Sequence, residues 1–533
     1  MSHYGQSRVL EELNAQKASL LASESHLLLQ LAQIRSKITE LEGKRANIVN
    51  TNACINSLPD DVFLHIVNIG LELDMDSNDP DSLHHEPFPA LVSRVSRRWL
   101  MTVLDAPLVW TRIRCKPSHY FALERLEAYL MRSQRCPLDI TFNISDVMDH
   151  SDPTVSKRVR SAVNMLVGHA DRWKSFSILA GSAAYLSYTF KALRRIRAPQ
   201  LAQFAVEKQF KGALRPFPSD FGLFTGGAPA LSCVCLHDCN ALGDYLPNLT
   251  RITNLQLSYF SPWELFEDSD ELRRMLVMFP SLTHLSLPDR IADDMRRLVV
   301  PIELPLLQIL EITSYKPRID ADVSYMYNLG IFLSTPSLTT LILNLLGPFD
   351  ILDLLRLSHE KPISLRYPAL GTLKIRWGFI IETDGQRDIV KDFMRAFPNI
   401  THLTMWSKDY DGQFDVVMKH LTEDARNSFG SHTLWPHLKS IKIQSPFASD
   451  LDVVSAMISA RIAARRPIDT LILERVAWRW YGSVDQPAEA HSAPSNKRLK
   501  QIQELGTIVN LEVKTGRAVF KAMETFGMSD AFV

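Results

Sequence analysis

Phe279-Pro280-Ser281-Leu282-Thr283-His284-Leu285-Ser286-Leu287 is one copy of a pattern that recurs along most of this chain. Further copies are Leu304–Ile312, Thr335–Leu343, Tyr367–Ile375, Phe397–Met405 and Trp435–Ile443, with Ala198–Val206 and Ala228–Leu236 upstream. The shared template is Pro-x-Leu-x-x-Leu-x-Leu. Its first leucine closes a turn, and the next two alternate inward on a short strand. From Pro280 the prolines step by 25, 31, 32 and 30 residues to Pro305, Pro336, Pro368 and Pro398. Weaker copies fall at 252–257 and 468–473. Segments 138–142 and 173–178 read as early strands, and 505–513 as a capping strand.

Helical patterns lie between the copies at 263–278, 350–358, 387–397 and 451–465. One strand and one helix per repeat, stacked side by side, predict an α/β fold: a right-handed leucine-rich-repeat solenoid, or horseshoe, with parallel strands. The outward strand positions differ from copy to copy. They include His284, Ser286, Glu311, Thr340, Lys374, His402, Thr404 and Lys442, which would line a concave face and contact a protein target. That face is mixed in character and mildly basic in the later copies.

A different grammar precedes the repeats. Leu58-Pro59 stands at a helix entry, where proline forfeits no needed hydrogen bond. Asp60 and Asp61 fall in the first turn, where carboxylates suit the helix dipole. Val62, Phe63, Ile66, Val67 and Ile69 then form an apolar stripe. Residues 74–89 are acidic and proline-containing and read as a loop. A second helix is predicted over 90–104, ended by Pro107. This unit is too small to bury all its apolar groups alone, which favours docking a helix into a partner's groove.

The order Leu58-Pro59, helix, Val95-x-x-x-Trp99, Pro107-x-x-Trp110 resembles the F-box, especially the degenerate form of large fungal families. The match spans about 55 residues, roughly a tenth of the chain. The resemblance implies that Leu58, Pro59, Val62, Phe63 and Ile66 contact a Skp-type adaptor. Val95, Trp99, Pro107, Leu108 and Trp110 would complete the module and its seam with the next domain. Ser96 stands where many members carry cysteine, and the 74–89 insertion is longer than in compact members. An F-box followed by such repeats resembles the leucine-rich-repeat class of substrate receptors in SCF-type ubiquitin ligases. A scaffold acting without ubiquitination is the alternative.

At the N-terminus, positions 10, 13, 17, 20, 24, 27, 31, 34, 38, 41, 45 and 48 follow 3-4 spacing, and nine of the twelve are apolar. This heptad seam predicts a helix over about 7–49, either pairing two copies of the chain through residues 10–48 or folding back on the body. Lys17, Glu24 and Arg45 interrupt the seam.

The chain has 533 residues, zero formal net charge and 46% hydrophobic content, so bulk charge argues against a dedicated nucleic-acid binder. No apolar run follows Met1 and none is long enough to span a bilayer, so neither a signal peptide nor a membrane partner is expected. The six cysteines suit reduced thiols in a cytoplasmic or nuclear setting. Asn143, Asn248 and Asn399 match a glycosylation sequon without a secretory signal to use it. Cys233, Cys235, His237 and Cys239 alternate along one strand, about 7 Å apart, too widely for one zinc ion. His84-His85 in an acidic loop, and Cys54 without a base, carry no chemistry by themselves. Lys497-Arg498-Leu499-Lys500 has the look of a nuclear import signal or of a solvated helix start. The common phosphate-loop, hydrolase and zincin motifs are missing from the sequence. No catalytic residue, metal or cofactor is therefore expected.

These readings divide the chain into a heptad helix (1–50), the F-box-like segment (55–112), a connector with first repeat helices (113–170), the repeat array (171–482), a mobile loop (483–496) and a C-terminal cap (497–533).

Overall fold

A computed structural model of the chain describes residues 3–51, 58–76, 88–147, 153–209, 222–237, 249–258, 269–288, 301–314, 325–377, 383–406, 413–427, 433–444, 450–474, 503–507 and 509–514. Expectations placed on Cys54, the loop 77–87 with its two histidines, Cys239, Asn248, 483–496 and 497–500 lie outside these residues. The chain divides into two units, residues 1–112 with 128–136, and residues 113–127 with 137–533.

In the first unit, α1 (His3–Thr51) is one uninterrupted helix. At 1.5 Å per residue its 49 residues span about 73 Å. α2 (Asp60–Asp76) starts where Leu58-Pro59 predicts, and the Pro59 carbonyl accepts its first backbone bond from Phe63 at 3.0 Å. The expected single helix over 90–104 is two helices, α3 (Phe88–Ser93) and α4 (Arg97–Leu104). Ser96 explains the break: its Oγ accepts from the Trp99 amide at 3.2 Å and caps α4, a bond incompatible with a helix running through it. Pro107 opens a 3-10 turn, Pro107–Trp110, after α4 has already ended at Leu104 with Asp105 as its C-cap.

The second unit holds a sheet of fourteen strands in chain order, with parallel pairing from Leu138–Ile144 onward. Its strands are β1 (Arg112–Cys115), β2 (Leu138–Ile144), β3 (Trp173–Ala180), β4 (Gln203–Lys208), β5 (Cys233–His237), β6 (Asn254–Ser258), β7 (His284–Pro288), β9 (Ile309–Thr313), β11 (Thr340–Leu346), β12 (Thr372–Trp377), β13 (His402–Trp406), β14 (Ser440–Gln444), β15 (Thr470–Glu474) and β16 (Asn510–Lys514). Two short strands, β8 (Ile302–Glu303) and β10 (Leu333–Ser334), pair apart from it. The sheet thus begins at Arg112, well before the 171 boundary the repeats suggested. The segment 113–170 lacks the proline template yet supplies two strands, with α5 (Ala122–Arg132) between them and α6 (Pro153–Val167) after them; α7 (Ala183–Leu193) follows β3. β16 closes the array by pairing β15, as expected of 505–513.

The proline template has a local cause. In seven copies the residue before proline accepts a bond from the leucine three residues on, as in Leu282 to Phe279 (3.2 Å), Leu338 to Thr335 (3.1 Å) and Leu438 to Trp435 (3.2 Å). Proline therefore occupies the second position of a turn, where its fixed φ is already suitable. The two strand leucines that follow are buried in every copy, for example Leu285 and Leu287, Leu341 and Leu343, Leu373 and Ile375. They meet apolar residues of the connecting helices α9 (Tyr325–Phe332), α10 (Pro348–Glu360) and α11 (Ile363–Arg366): Leu310, Ile312 and Leu341 share one apolar space with Met326, Leu329, Leu354 and Ile363. α8 (Ser269–Val277), α12 (Asp384–Ala396), α13 (Gln413–Arg426) and α14 (Asp450–Ala463) follow the same plan, burying Met275, Phe393, Val417 and Val454. Among the described residues no helix is long and apolar enough to cross a membrane.

Two glycines separate tight from open positions. A Cβ on Gly181 would lie 1.8 Å from the Ser145 carbonyl oxygen, whereas one on Gly385, inside α12, would meet nothing within 4 Å. We expect Gly181→Ala to cost about 1–3 kcal/mol or more by overpacking against backbone. Gly385→Ala should gain about 0.5–1 kcal/mol in helix stability. Urea unfolding midpoints at equal m-value check both.

Candidate functional site

Two surfaces, one in each unit, carry the residues singled out by the sequence. In the first unit α2 is apolar on two sides. Phe63, Val67 and Leu71 are buried, and a Cβ added at Gly70 would come within 2.3 Å of the Phe88 ring, so this side meets α3 and α4 closely. Val62, Ile66 and Ile69, at helical spacing on another side, are 41–46% exposed. The Arg98 guanidinium fixes how the chain enters α2: it donates to the Leu58 carbonyl and to Asp60 Oδ1, each at 2.6 Å.

The expected contact residues divide accordingly. Pro59, Val62, Ile66, Val95 and Leu108 are exposed, and Leu58, Trp99 and Pro107 are half-buried. Phe63 is corrected from surface to core: it is 4% exposed and its ring lies 4.6 Å from that of Trp99. Trp110 is also core. Its Nε1 donates to the Val103 carbonyl at 2.8 Å, Tyr129 packs edge-on at 5.0 Å, and the Arg132 guanidinium sits 4.5 Å over its ring.

In the second unit the outward strand positions align into cross-strand rows. One runs His284, Ile309, Thr340, Thr372, His402, Ser440, Thr470. The next runs Gln256, Ser286, Glu311, Ile342, Lys374, Thr404, Lys442, Ile472. All eight expected target-facing residues lie in these two rows. Ser286 and Thr404 are nevertheless buried, a correction to the expectation that they present themselves to a target. Their neighbours in the row are longer: Gln256 and Glu311 flank Ser286, Lys374 and Lys442 flank Thr404, and such stems cover a small hydroxyl between strands about 4.8 Å apart.

A third row, not anticipated, holds Thr313, Asn344 and Arg376 on one stretch and Trp406, Gln444 and Glu474 on another. Extending the same period-two alternation by one more step would have found it. The second and third rows line an open groove of about 410 Å³, including Glu311, Asn344, Lys374, Arg376, Trp406 and Lys442. Leu345 enters the groove with φ of 59° at a bulge that shifts the β11–β12 register. A non-glycine residue there is held by its surroundings at some cost, and no sequence signal marks it.

The acid of the groove, Glu311, and Glu474 beside it are already engaged. Glu311 Oε1 accepts from Asn344 at 2.7 Å, and Glu474 meets Lys442 at 2.8 Å and Gln444 at 2.7 Å. Contact with the His284 imidazole (3.9 Å), then bonds from Ser286 and Asn344, hold the Glu311 carboxyl below its usual range, against the opposing effect of burial. Among the described residues Lys374 and Arg376 have no ion-pair partner. The groove therefore offers cationic donors beside one aromatic ring, suited to an acidic side chain.

Among the described residues no three His, Cys, Asp or Glu side chains gather to hold a metal ion. Cys233 and Cys235 interact with each other instead. A hydrogen bond from the Cys235 thiol lowers Cys233 to about 7, assisted by His284 and opposed by burial. Burial raises Cys115 to about 12. The chain matches no protein-family model and no curated protein.

A reactivity difference follows from these thiols. Cys233 should be alkylated by iodoacetamide with a midpoint near pH 7, being thiolate above it, while folded Cys115 stays unmodified through neutral pH. Cys235→Ala should move the Cys233 midpoint up toward the ordinary thiol range. Peptide mapping after timed labelling reads both effects.

Proposed function

We propose that this chain is a non-enzymatic substrate receptor of an SCF-type ubiquitin ligase. In this reading the segment 55–112 is an F-box that docks on a Skp-type adaptor and through it a cullin. The repeats form a leucine-rich-repeat solenoid whose open strand face binds a protein target. The mechanism is proximity: holding target and ligase together raises the effective concentration of target lysines near the charged ubiquitin carrier.

The observation that carries the reading is the second apolar side of α2. Phe63, Val67 and Leu71 are spent on the unit's own core, while Val62, Ile66 and Ile69 remain exposed directly after Leu58-Pro59. An amphipathic helix with a spare apolar stripe suits a helix-in-groove partner. The open sheet face supports the second half, since a row of varied side chains on regular strands suits protein recognition.

Capture of purified Skp-type adaptor by full-length chain tests the docking. Val62→Asp/Ile66→Asp should weaken capture at least about thirtyfold, the effect of losing a central contact worth about 2 kcal/mol or more, with circular dichroism unchanged. Phe63→Ala should instead cost the unit about 3–5 kcal/mol of stability. No capture by well-folded wild type would sink the proposal, and adaptor capture without cullin recruitment would favour a scaffold acting without ubiquitination. For the target face, Lys374→Glu/Arg376→Glu should leave adaptor capture intact and abolish co-purification of whatever protein wild type retains.

A further inference from the structure

We infer that α1 is a self-association element that pairs with α1 of a second copy in antiparallel orientation. Its seam residues Leu10, Leu13, Leu20, Leu27, Leu31, Ile34, Ile38, Leu41 and Ile48 are all 45–70% exposed. A helix this long, apolar along one seam and uncovered, is not a stable end state in water. The seam repeats every 3.5 residues for more than five heptads, so a partner that matches it along its length is another helix of the same repeat. A second copy of this chain supplies one, in an isologous twofold pairing.

Charge decides the direction. The seam consists of two alternating series. Residues 13, 20, 27, 34, 41 and 48 are all apolar, whereas the series 10, 17, 24, 31, 38 and 45 includes Lys17, Glu24 and Arg45. In a parallel in-register pair each residue faces its own twin, so Lys17 meets Lys17, Glu24 meets Glu24 and Arg45 meets Arg45. Three like-charge layers inside an apolar seam oppose that arrangement. In the antiparallel pair centred near residue 29, 10 faces 48, 17 faces 41, 24 faces 34, 31 faces 27, 38 faces 20 and 45 faces 13. All twelve positions then find a partner, and every charged residue lies against an aliphatic one, past which its stem can reach water. Leu28 is outside the seam yet 60% exposed, and the antiparallel pairing sets it against Leu28 of the second copy beside the twofold axis. Leu21, also exposed, falls against the stem of Arg35.

Light scattering on the full-length chain and thiol cross-linking together test this. We expect a mass twice the 60.5 kDa of one chain. With a short bismaleimide, an equimolar mixture of Leu10→Cys and Ile48→Cys chains should give a cross-linked dimer above the wild-type background, and neither variant alone should. Leu27→Asp/Ile34→Asp, on a face exposed in the single chain, should weaken dimerisation at least a hundredfold while adaptor capture stays unchanged. A wild-type mass of one chain, or of three or more, overturns the inference. Cross-linking of each variant to itself but not to the other overturns the orientation.

Discussion

The strand register of this protein rests on one backbone carbonyl per repeat, placed just before each strand, that accepts two amides from the next repeat. Ala202 O accepts from Ser232 and Cys233, both at 3.0 Å. The same arrangement passes through Ser232, Thr253, Thr283, Gln308, Thr339, Gly371, Thr401 and Lys439. Each carbonyl fixes where the next strand begins, so every later rung inherits its alignment. Hydroxyls reinforce the ladder where the sequence supplies them, Thr283, Thr339 and Thr401 each donating at 3.0–3.1 Å to the carbonyl their own amide uses. The proline turn delivers the chain to this point: it buries the residue before proline and the leucine after it, and leaves the following amides aimed at the neighbouring repeat.

With the register set, the alternation of a strand does the rest. One side of each strand enters the core with the connecting helices; the other remains open and is free to vary. That is why the open rows contain imidazole, carboxylate, ammonium and hydroxyl groups while the buried rows are dominated by apolar side chains, chiefly Leu, Ile, Val, Met and Phe. It is also why polar groups there satisfy one another across strands, as Glu311 does with Asn344 and Glu474 with Lys442.

The helical residues obey a different constraint. α2 has three surfaces in effect: one used by its own unit, one polar with Asp61, His65 and Asn68, and one apolar and exposed. α1 has an apolar seam and no cover along it. Both place in water surface that folding of the single chain does not use, and both are therefore read as places where another molecule is met.

Much of this was legible from the residues. The proline-leucine template located eight strands, since turn chemistry and period two are local. The heptad spacing located α1, and Leu58-Pro59-Asp60-Asp61 located the start of α2. Tertiary structure decided the remainder. β1 carries no proline turn, so only its place in the sheet reveals the start at Arg112, whereas the strand pattern over 138–142 marks β2. The break between α3 and α4 depends on a single serine hydroxyl choosing the Trp99 amide. Phe63 and Val62 are adjacent and both apolar, and periodicity alone cannot say which of two stripes on a helix is kept for the core, because that depends on where Phe88 and Trp99 arrive from distant sequence. The burial of Thr404 and the positive φ of Leu345 likewise arise from neighbours one repeat away. What is local in energy is readable along the chain; what depends on which side chains meet across repeats is known only once the strands are side by side.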